Sequence, residues 1–220
     1  MKEMRMKKRL VITTLFFSLI VQGDVFAQMD EPPRYEVAAE FTTLNRQESG
    51  GTRAEAGIGA RFTFNLNKTF AIEGAAHGSF SDCVNCYPAG RVFDMFGGVK
   101  VGKRYKSWGI FAKARPGDVN FTYGRFTVIQ TGTTGSFPFE FQAKGLDSFA
   151  ADVGGVVEFY PSRRIVTRFD AGDTIIHFSP RTDNGLSFDP NTGIYTIVPF
   201  TTPAKTTHNF QFVASVGFRF

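Results

Sequence analysis

Apolar and polar side chains alternate with a period of two along most of this chain. That period belongs to extended strands, whose successive side chains point to opposite faces. The clearest case is 209–220, where Phe210, Phe212, Ala214, Val216, Phe218 and Phe220 share one face. Gln211, Val213, Ser215, Gly217 and Arg219 take the other. Residues 35–43 set Tyr35, Val37, Ala39 and Phe41 against Glu36, Ala38, Glu40 and Thr42. Residues 53–66 set Ile58, Phe62, Phe64 and Leu66 against Arg53, Glu55, Arg61 and Thr63, and 70–80 set Phe70, Ile72 and Phe80 against Glu73, His77 and Ser79. Residues 93–101 oppose Phe93, Met95 and Val99 to Asp94, Phe96 and Lys100, and 108–115 oppose Trp108 and Ile110 to Phe111, Lys113 and Arg115. Residues 149–159 oppose Phe149, Val157 and Phe159 to Asp152, Val156 and Glu158, and 165–172 oppose Ile165 and Phe169 to Val166, Arg168 and Asp170. No helical period appears beyond the first 27 residues.

Tight turns are predicted at 67–68, 105–107 and 161–164, and longer connections at 45–53, 81–89, 116–145 and 179–206. Short turns at one end and long loops at the other predict an all-β fold. The expected form is an eight-stranded antiparallel transmembrane β-barrel with short periplasmic turns and longer extracellular loops. Each strand supplies roughly the 9–11 residues a tilted strand needs to cross a bilayer. A soluble lipocalin-like barrel has the same alternation with its apolar face inside, so the faces must be told apart.

Two features favour lipid on the apolar side. Tyr35, Phe62, Phe64, Phe70, Trp108, Phe159, Phe218 and Phe220 gather at the short-turn end, as a periplasmic aromatic girdle would. The polar face carries Glu36, Glu40, Glu55, Glu73, Asp94, Asp152, Glu158 and Asp170 against Arg61, Lys100, Lys113, Arg115, Arg168 and Arg219. The lumen of a small barrel is only wide enough for side chains to fill it. Charges there must pair, which predicts a lumenal ion-pair network in which Arg219 reaches Glu36. Two charges fall on the apolar face. Lys103 lies near a turn, where its stem can snorkel; Asp173 requires either the outer interface or a bulge near Gly172 that turns it inward.

Composition changes the picture at the front. Lys2, Arg5, Lys7, Lys8 and Arg9 supply much of the formal net charge of +5. They precede the apolar run 10–21 and a Val25-Phe26-Ala27 cleavage pattern. This predicts a signal peptide over 1–27, a short periplasmic lead over 28–33 and the barrel over 34–220. The remainder is nearly balanced in charge, which excludes an electrostatic case for nucleic acid. The 26 phenylalanines are what a chain with an aromatic outer face would use.

The candidate chemistry is sparse. Cys83-Val84-Asn85-Cys86 holds both cysteines in a predicted surface loop. An exported chain favours a local disulfide there over redox chemistry or a metal site. No cofactor is indicated. His77-Gly78-Ser79 places a base and a nucleophile on one strand face, on the lumenal side by parity. His177 and His208 flank the last long loop without an evident carboxylate to complete a metal site. Phe121, Tyr123, Phe126, Phe137, Phe139 and Phe141, then Phe178, Phe188, Tyr195 and Phe200, put aromatics into the long connections, either as ligand anchors or as strand continuations.

With the alternating segments, the terminal Val216-Gly217-Phe218-Arg219-Phe220, and the stretches 111–117 and 154–164, the chain resembles the small OmpA/OmpX-type outer-membrane β-barrels of the porin family. The resemblance spans 35–220 and implies an outer-membrane location, surrounded by outer-membrane lipid and lipopolysaccharide. It also implies insertion by the barrel-assembly machinery, for which a terminal strand ending in Phe is the signal. The resemblance specifies the architecture and not the activity. The expected role is structural or surface-interaction, with at most a narrow solute path because charged side chains fill the lumen, and any surface ligand is left unspecified. The peptidoglycan-binding domain of full OmpA-type proteins is not part of the resemblance. The alternative is a lipid-modifying barrel similar to the outer-membrane lipid A deacylases, which use a His-x-Ser pair; theirs lies late in the chain and faces lipid, whereas His77-Gly78-Ser79 does neither.

Overall fold

The computed structural model describes residues 32–48, 51–82, 88–132 and 138–220. The expected signal peptide, most of the lead, and Cys83 with Cys86 lie outside the described residues. The strands are β1 (Tyr35–Glu48), β2 (Gly51–Asn65), β3 (Phe70–Ser79), β4 (Ala89–Arg104), β5 (Trp108–Gln130), β6 (Phe139–Phe159), β7 (Ile165–Phe178), β8 (Arg181–Asp189), β9 (Ile194–Thr202) and β10 (Lys205–Arg219). Eight close a ring in the order β1-β10-β7-β6-β5-β4-β3-β2. All the pairings are antiparallel, and β8 pairs with β9 outside the ring.

The ring closes between its first and last strands. Their register runs from Glu36 opposite Arg219 to Leu44 opposite Gln211, and Tyr35 and Phe220 exchange backbone hydrogen bonds of 3.0 and 2.9 Å. Short polar side chains hold the tight turns at this end. Asn67 Oδ1 accepts the N–H groups of Thr69 and Phe70 at 2.7 and 2.8 Å. Ser162 Oγ accepts those of Arg164 and Ile165 at 3.3 and 3.1 Å. In both cases a side-chain oxygen replaces the carbonyl that a longer turn would supply.

Strand parity makes the cylinder apolar outside and polar inside. Phe62, Ile72, Met95, Ile110, Phe169 and Val216 are exposed on the outer wall, whereas Glu73, Lys100, Asp152 and Arg168 are buried inside. The register of β7 shows no shift against β6 or β10. Asp173 therefore keeps its outward parity, and no bulge turns it in. Its carboxylate accepts the Asn209 backbone N–H at 2.9 Å and lies 2.5 Å from His208 Nδ1.

The expected long loops need correction. Residues 116–130 continue β5 to a length of 23 residues, and 139–145 begin the 21-residue β6. Both overshoot the roughly 9–11 residues of a bilayer crossing. Residues 179–206 are mostly the β8–β9 hairpin and the start of β10. The alternation fades over 139–145 and β9 because both faces are largely exposed there. Over 116–121 one face stays buried, but its side chains, Val119 and Phe121, are apolar and the outward ones, Asp118 and Asn120, are polar. Pro116 did not break β5: its missing N–H leaves a gap in the β4–β5 ladder between Gly117↔Phe96 and Ala114↔Val99, without a register change. The β5–β6 extension and the hairpin form a crown at the loop end. Asp183 joins them, with its Oδ1 2.5 Å from Arg125 Nη2, and the Asn184 N–H reaches Thr127 Oγ1 at 3.4 Å.

Candidate functional site

The lumen is where the inward side chains converge, and Glu73 on β3 is its hub. Arg168, from β7, donates to it through both Nη1 and Nη2. Lys100 Nζ approaches at 3.3 Å, Arg61 Nη1 at 3.6 Å and Arg115 Nη1 at 3.8 Å. Strands β3 and β7 stand four places apart in the ring of eight. The Glu73–Arg168 pair therefore spans the lumen from wall to opposite wall. Arg168 also clamps Asp170 at 2.6 and 2.7 Å. Lys113 bridges Asp152 at 2.8 Å and Asp170 at 3.2 Å, and Arg115 holds Asp152 at 3.0 and 2.5 Å. Glu158 takes a hydrogen bond from Lys100 and lies 3.4 Å from Arg104. Buried charges carry a large desolvation cost, offset only when they are paired and hydrogen-bonded.

Toward the loop end the pairs continue at smaller scale. Arg61 Nε donates to Glu40 at 2.8 Å. His77 lies between two carboxylates, with Nε2 2.8 Å from Glu40 and Nδ1 2.6 Å from Asp94. Gly59 makes this possible, because a Cβ there would come within 2.3 Å of both His77 Cδ2 and the Ala76 carbonyl oxygen. Glu55 accepts from Arg46 at 2.9 Å. Above this level the interior becomes apolar. Leu44, Val92, Phe96, Val119, Phe121, Ala150, Ile176 and Phe178 form a buried cluster. The Arg46 guanidinium lies 4.9 Å from the Phe121 ring centroid. Strands β1 and β5 also face each other across the ring, so a second cross-lumen contact sits above the first.

All of the charged residues assigned to the lumen face inward, but their partners depart from expectation in one place. Arg219 makes no ion pair with Glu36 among the described contacts. Its Nη2 donates to the Ser162 carbonyl at 3.1 Å, and its guanidinium lies 4.5 Å from the Tyr160 ring centroid. Glu36 instead accepts from Asn65 Nδ2 at 2.9 Å and lies 3.8 Å from Arg104. The turn geometry carries Arg219 past Glu36, toward the 161–164 turn. Arg46, Asn65, Arg104 and Tyr160 are lumenal residues that sequence reasoning did not assign to the lumen. Arg46 stood in the expected loop 45–53, Asn65 at the end of a predicted strand, and Arg104 and Tyr160 just past theirs. Carrying the parity of each strand through its end and up to three residues beyond would have found them, since Arg104 shares parity with Lys100 and Tyr160 with Glu158. The apolar layer had a weaker signal in Phe96 on the polar face.

Ser79 does not join His77. Its hydroxyl accepts the Val92 N–H at 2.9 Å and donates to the Ser81 carbonyl at 3.2 Å, which makes it a local turn cap. The other histidines face outward near the crown: His208 beside Asp173, and His177 with Nδ1 3.0 Å from Thr206 Oγ1. Among the described residues no cluster of His, Cys, Asp and Glu could hold a metal ion.

The aromatics assigned to the girdle face outward at the short-turn end, while Phe41, Phe93, Phe149 and Phe210 are exposed higher on the same wall. Tyr35 stacks against Phe62, Phe64 and Phe220 with centroids 6.1, 5.3 and 5.8 Å apart. Phe218 and Phe220 lie 6.2 Å apart. Trp108 is paired in register with Phe159 and stacks on Tyr105 at 4.4 Å. Phe70 is exposed opposite Val101 at the same end. Lys103 places its ammonium 5.4 Å from the Tyr105 ring centroid.

No family model matches the chain, and no curated protein matches it. Among solved structures it is similar to Ail, the attachment invasion locus protein of Yersinia pestis. The identity is 10%, the TM-score 0.48, and the match covers 86% of this chain and 99% of that one. Neisserial surface protein A matches at 12% identity and TM-score 0.48, over 84% of this chain and 97% of that one. The N-terminal β-barrel domain of Pseudomonas aeruginosa OprF matches at 9% identity and TM-score 0.45, over 87% of this chain and 100% of that one.

Proposed function

We propose that the chain is an outer-membrane barrel with a sealed lumen, serving a structural and surface-contact role rather than free passage of solutes. The carrying observation is its polarity: exposed apolar side chains all round the outside, with Glu73 and Arg168 paired across the inside. A soluble monomer rarely exposes a contiguous apolar patch of more than a few hundred Å², and a continuous outer belt calls for lipid. The aromatics at the short-turn end then stand at the periplasmic interface, both chain ends lie in the periplasm, and the crown projects beyond the outer leaflet and its lipopolysaccharide. The terminal Phe220 serves the barrel-assembly machinery during insertion.

The test has two stages. The protein should fractionate with outer membranes and migrate faster unboiled than boiled on a denaturing gel. Once inserted into planar bilayers it should show no steady single-channel current. A large, stable conductance without any partner would overturn the sealed lumen.

A lipid-modifying activity is the second reading, and it moves from Ser79 to the outward pair Asp173–His208. That pair fixes an imidazole through Nδ1 and leaves its other nitrogen exposed near the crown. Lipid A profiles of cells carrying the wild-type protein or His208→Ala decide it; identical profiles remove this reading.

A further inference from the structure

Between the apolar layer and the crown the lumen opens into a cavity of about 120 Å³. Phe121, Ile176 and Phe178 give it an apolar floor, and all three are buried. Three cations stand around it: Arg46 from β1, Arg181 from the base of β8 and Lys205 from the start of β10. Among the described residues no aspartate or glutamate lines it, in contrast to the near balance of charge deeper in the lumen. Two of these cations already have carboxylate partners, Arg46 with Glu55 at 2.9 Å and Arg181 with Asp183 at 3.4 Å, the second carboxylate being shared with Arg125 at 2.5 Å. Lys205 is exposed, shares lumenal parity with Thr207 and Asn209, and makes no ion pair among the described residues.

The cavity is closed below by the Arg46–Phe121 contact and, beneath that, by the Glu73–Arg168 pair. Anything that enters from the crown side leaves by the same route. The arrangement suits binding rather than conduction. An apolar floor under a cationic rim is complementary to a small amphipathic anion. Size narrows the class further. An apolar cavity of roughly 150 Å³ takes a benzene ring. This one is slightly smaller and open toward the crown, so it suits at most a single ring or a chain of a few carbons with its polar head in the mouth, and it excludes a lipid acyl chain.

We propose that the crown-side mouth of the barrel is a binding site for a small aromatic or short aliphatic carboxylate. The apolar part rests on Phe121, Ile176 and Phe178. The carboxylate faces Lys205, the rim cation outside the Arg46–Glu55 and Arg181–Asp183 pairs. This goes beyond the structural role proposed above and does not depend on the second, enzymatic reading.

The test is equilibrium dialysis of radiolabelled benzoate against the full barrel in lipid nanodiscs, with empty nanodiscs as the blank. Benzylamine and benzyl alcohol serve as competitors. Saturable binding of one benzoate per barrel is expected, with competition at least about tenfold weaker for benzylamine than for unlabelled benzoate. Lys205→Glu alters an exposed side chain at a strand start, so the barrel should still form, as unboiled gel migration would verify. It should weaken benzoate about tenfold or more while leaving benzyl alcohol nearly unchanged. Thr207→Phe, which fills the cavity, should abolish both. No saturable benzoate binding at millimolar concentration overturns the proposal, as does equal competition by benzylamine or unchanged affinity in Lys205→Glu.

Discussion

At the scale of single residues, the lumen is organised by what surrounds Glu73. Removing its carboxylate leaves Arg168, Lys100, Arg61 and Arg115 facing one another with less compensation. Glu73→Ala should therefore cost about 3–5 kcal/mol in urea unfolding from lipid, the usual result of orphaning a buried charge. Replacing both ends of the cross-lumen pair, Glu73→Leu with Arg168→Met, should cost less than the two single changes combined, because no charge of that pair is left alone. Arg219→Ala belongs to a different class. Its guanidinium leans on Tyr160 near the turn and has no carboxylate in ion-pair contact, so its loss should cost only about 1 kcal/mol in the same experiment. The face on which each of these side chains stands can be read from strand parity. The choice between Glu36 and Tyr160 as the neighbour of Arg219 cannot, because it depends on side-chain reach around the curve of the barrel end.

At the scale of elements, barrel and crown are separable because β7 pairs directly with β10. Replacing 182–201 with a short Gly-Ser linker should leave a barrel with normal heat-modifiable migration; failure of such a chain to fold would mean that the hairpin helps close the ring. The Asp183–Arg125 contact ties the hairpin to β5. Asp183→Ala should accordingly speed proteolysis within β8–β9 without affecting the barrel. The hairpin tip carries its own pH dependence. The backbone N–H of Asn191 and the hydroxyl of Thr192 hold the exposed Asp189 carboxyl below its ordinary value of 3.8. A depressed carboxyl stabilises the form that is charged, so the turn is fully supported above that ordinary value. The support is lost as pH falls through the lowered one. Amide shifts of Asn191 and Thr192 should move together in that acidic window. The barrel strands are legible in sequence because one face of each is buried and the other is apolar. The crown was hidden for the opposite reason: β9 is exposed almost throughout, so nothing imposed a period of two on its side chains.

At the scale of the whole molecule, the account depends on which medium covers the outer wall. Val216, Phe212 and Phe210 on β10 are exposed together with the aromatics at the strand's end, and the same is true round the ring. Lipid makes this arrangement stable, and water would make it an aggregation hazard. Deleting Phe220 removes both a girdle ring and the backbone pairing with Tyr35, and should lower the amount of assembled barrel in outer membranes. The most direct measurement places nitroxide labels one at a time at 208, 210, 212, 214, 216 and 218, in a background with both cysteines replaced by serine. Accessibility to oxygen is then compared with accessibility to a water-soluble nickel complex in lipid nanodiscs. A lipid-embedded wall predicts oxygen accessibility that peaks near 212–214 and nickel accessibility that rises toward both ends. Uniformly high nickel accessibility along the strand would contradict the membrane barrel.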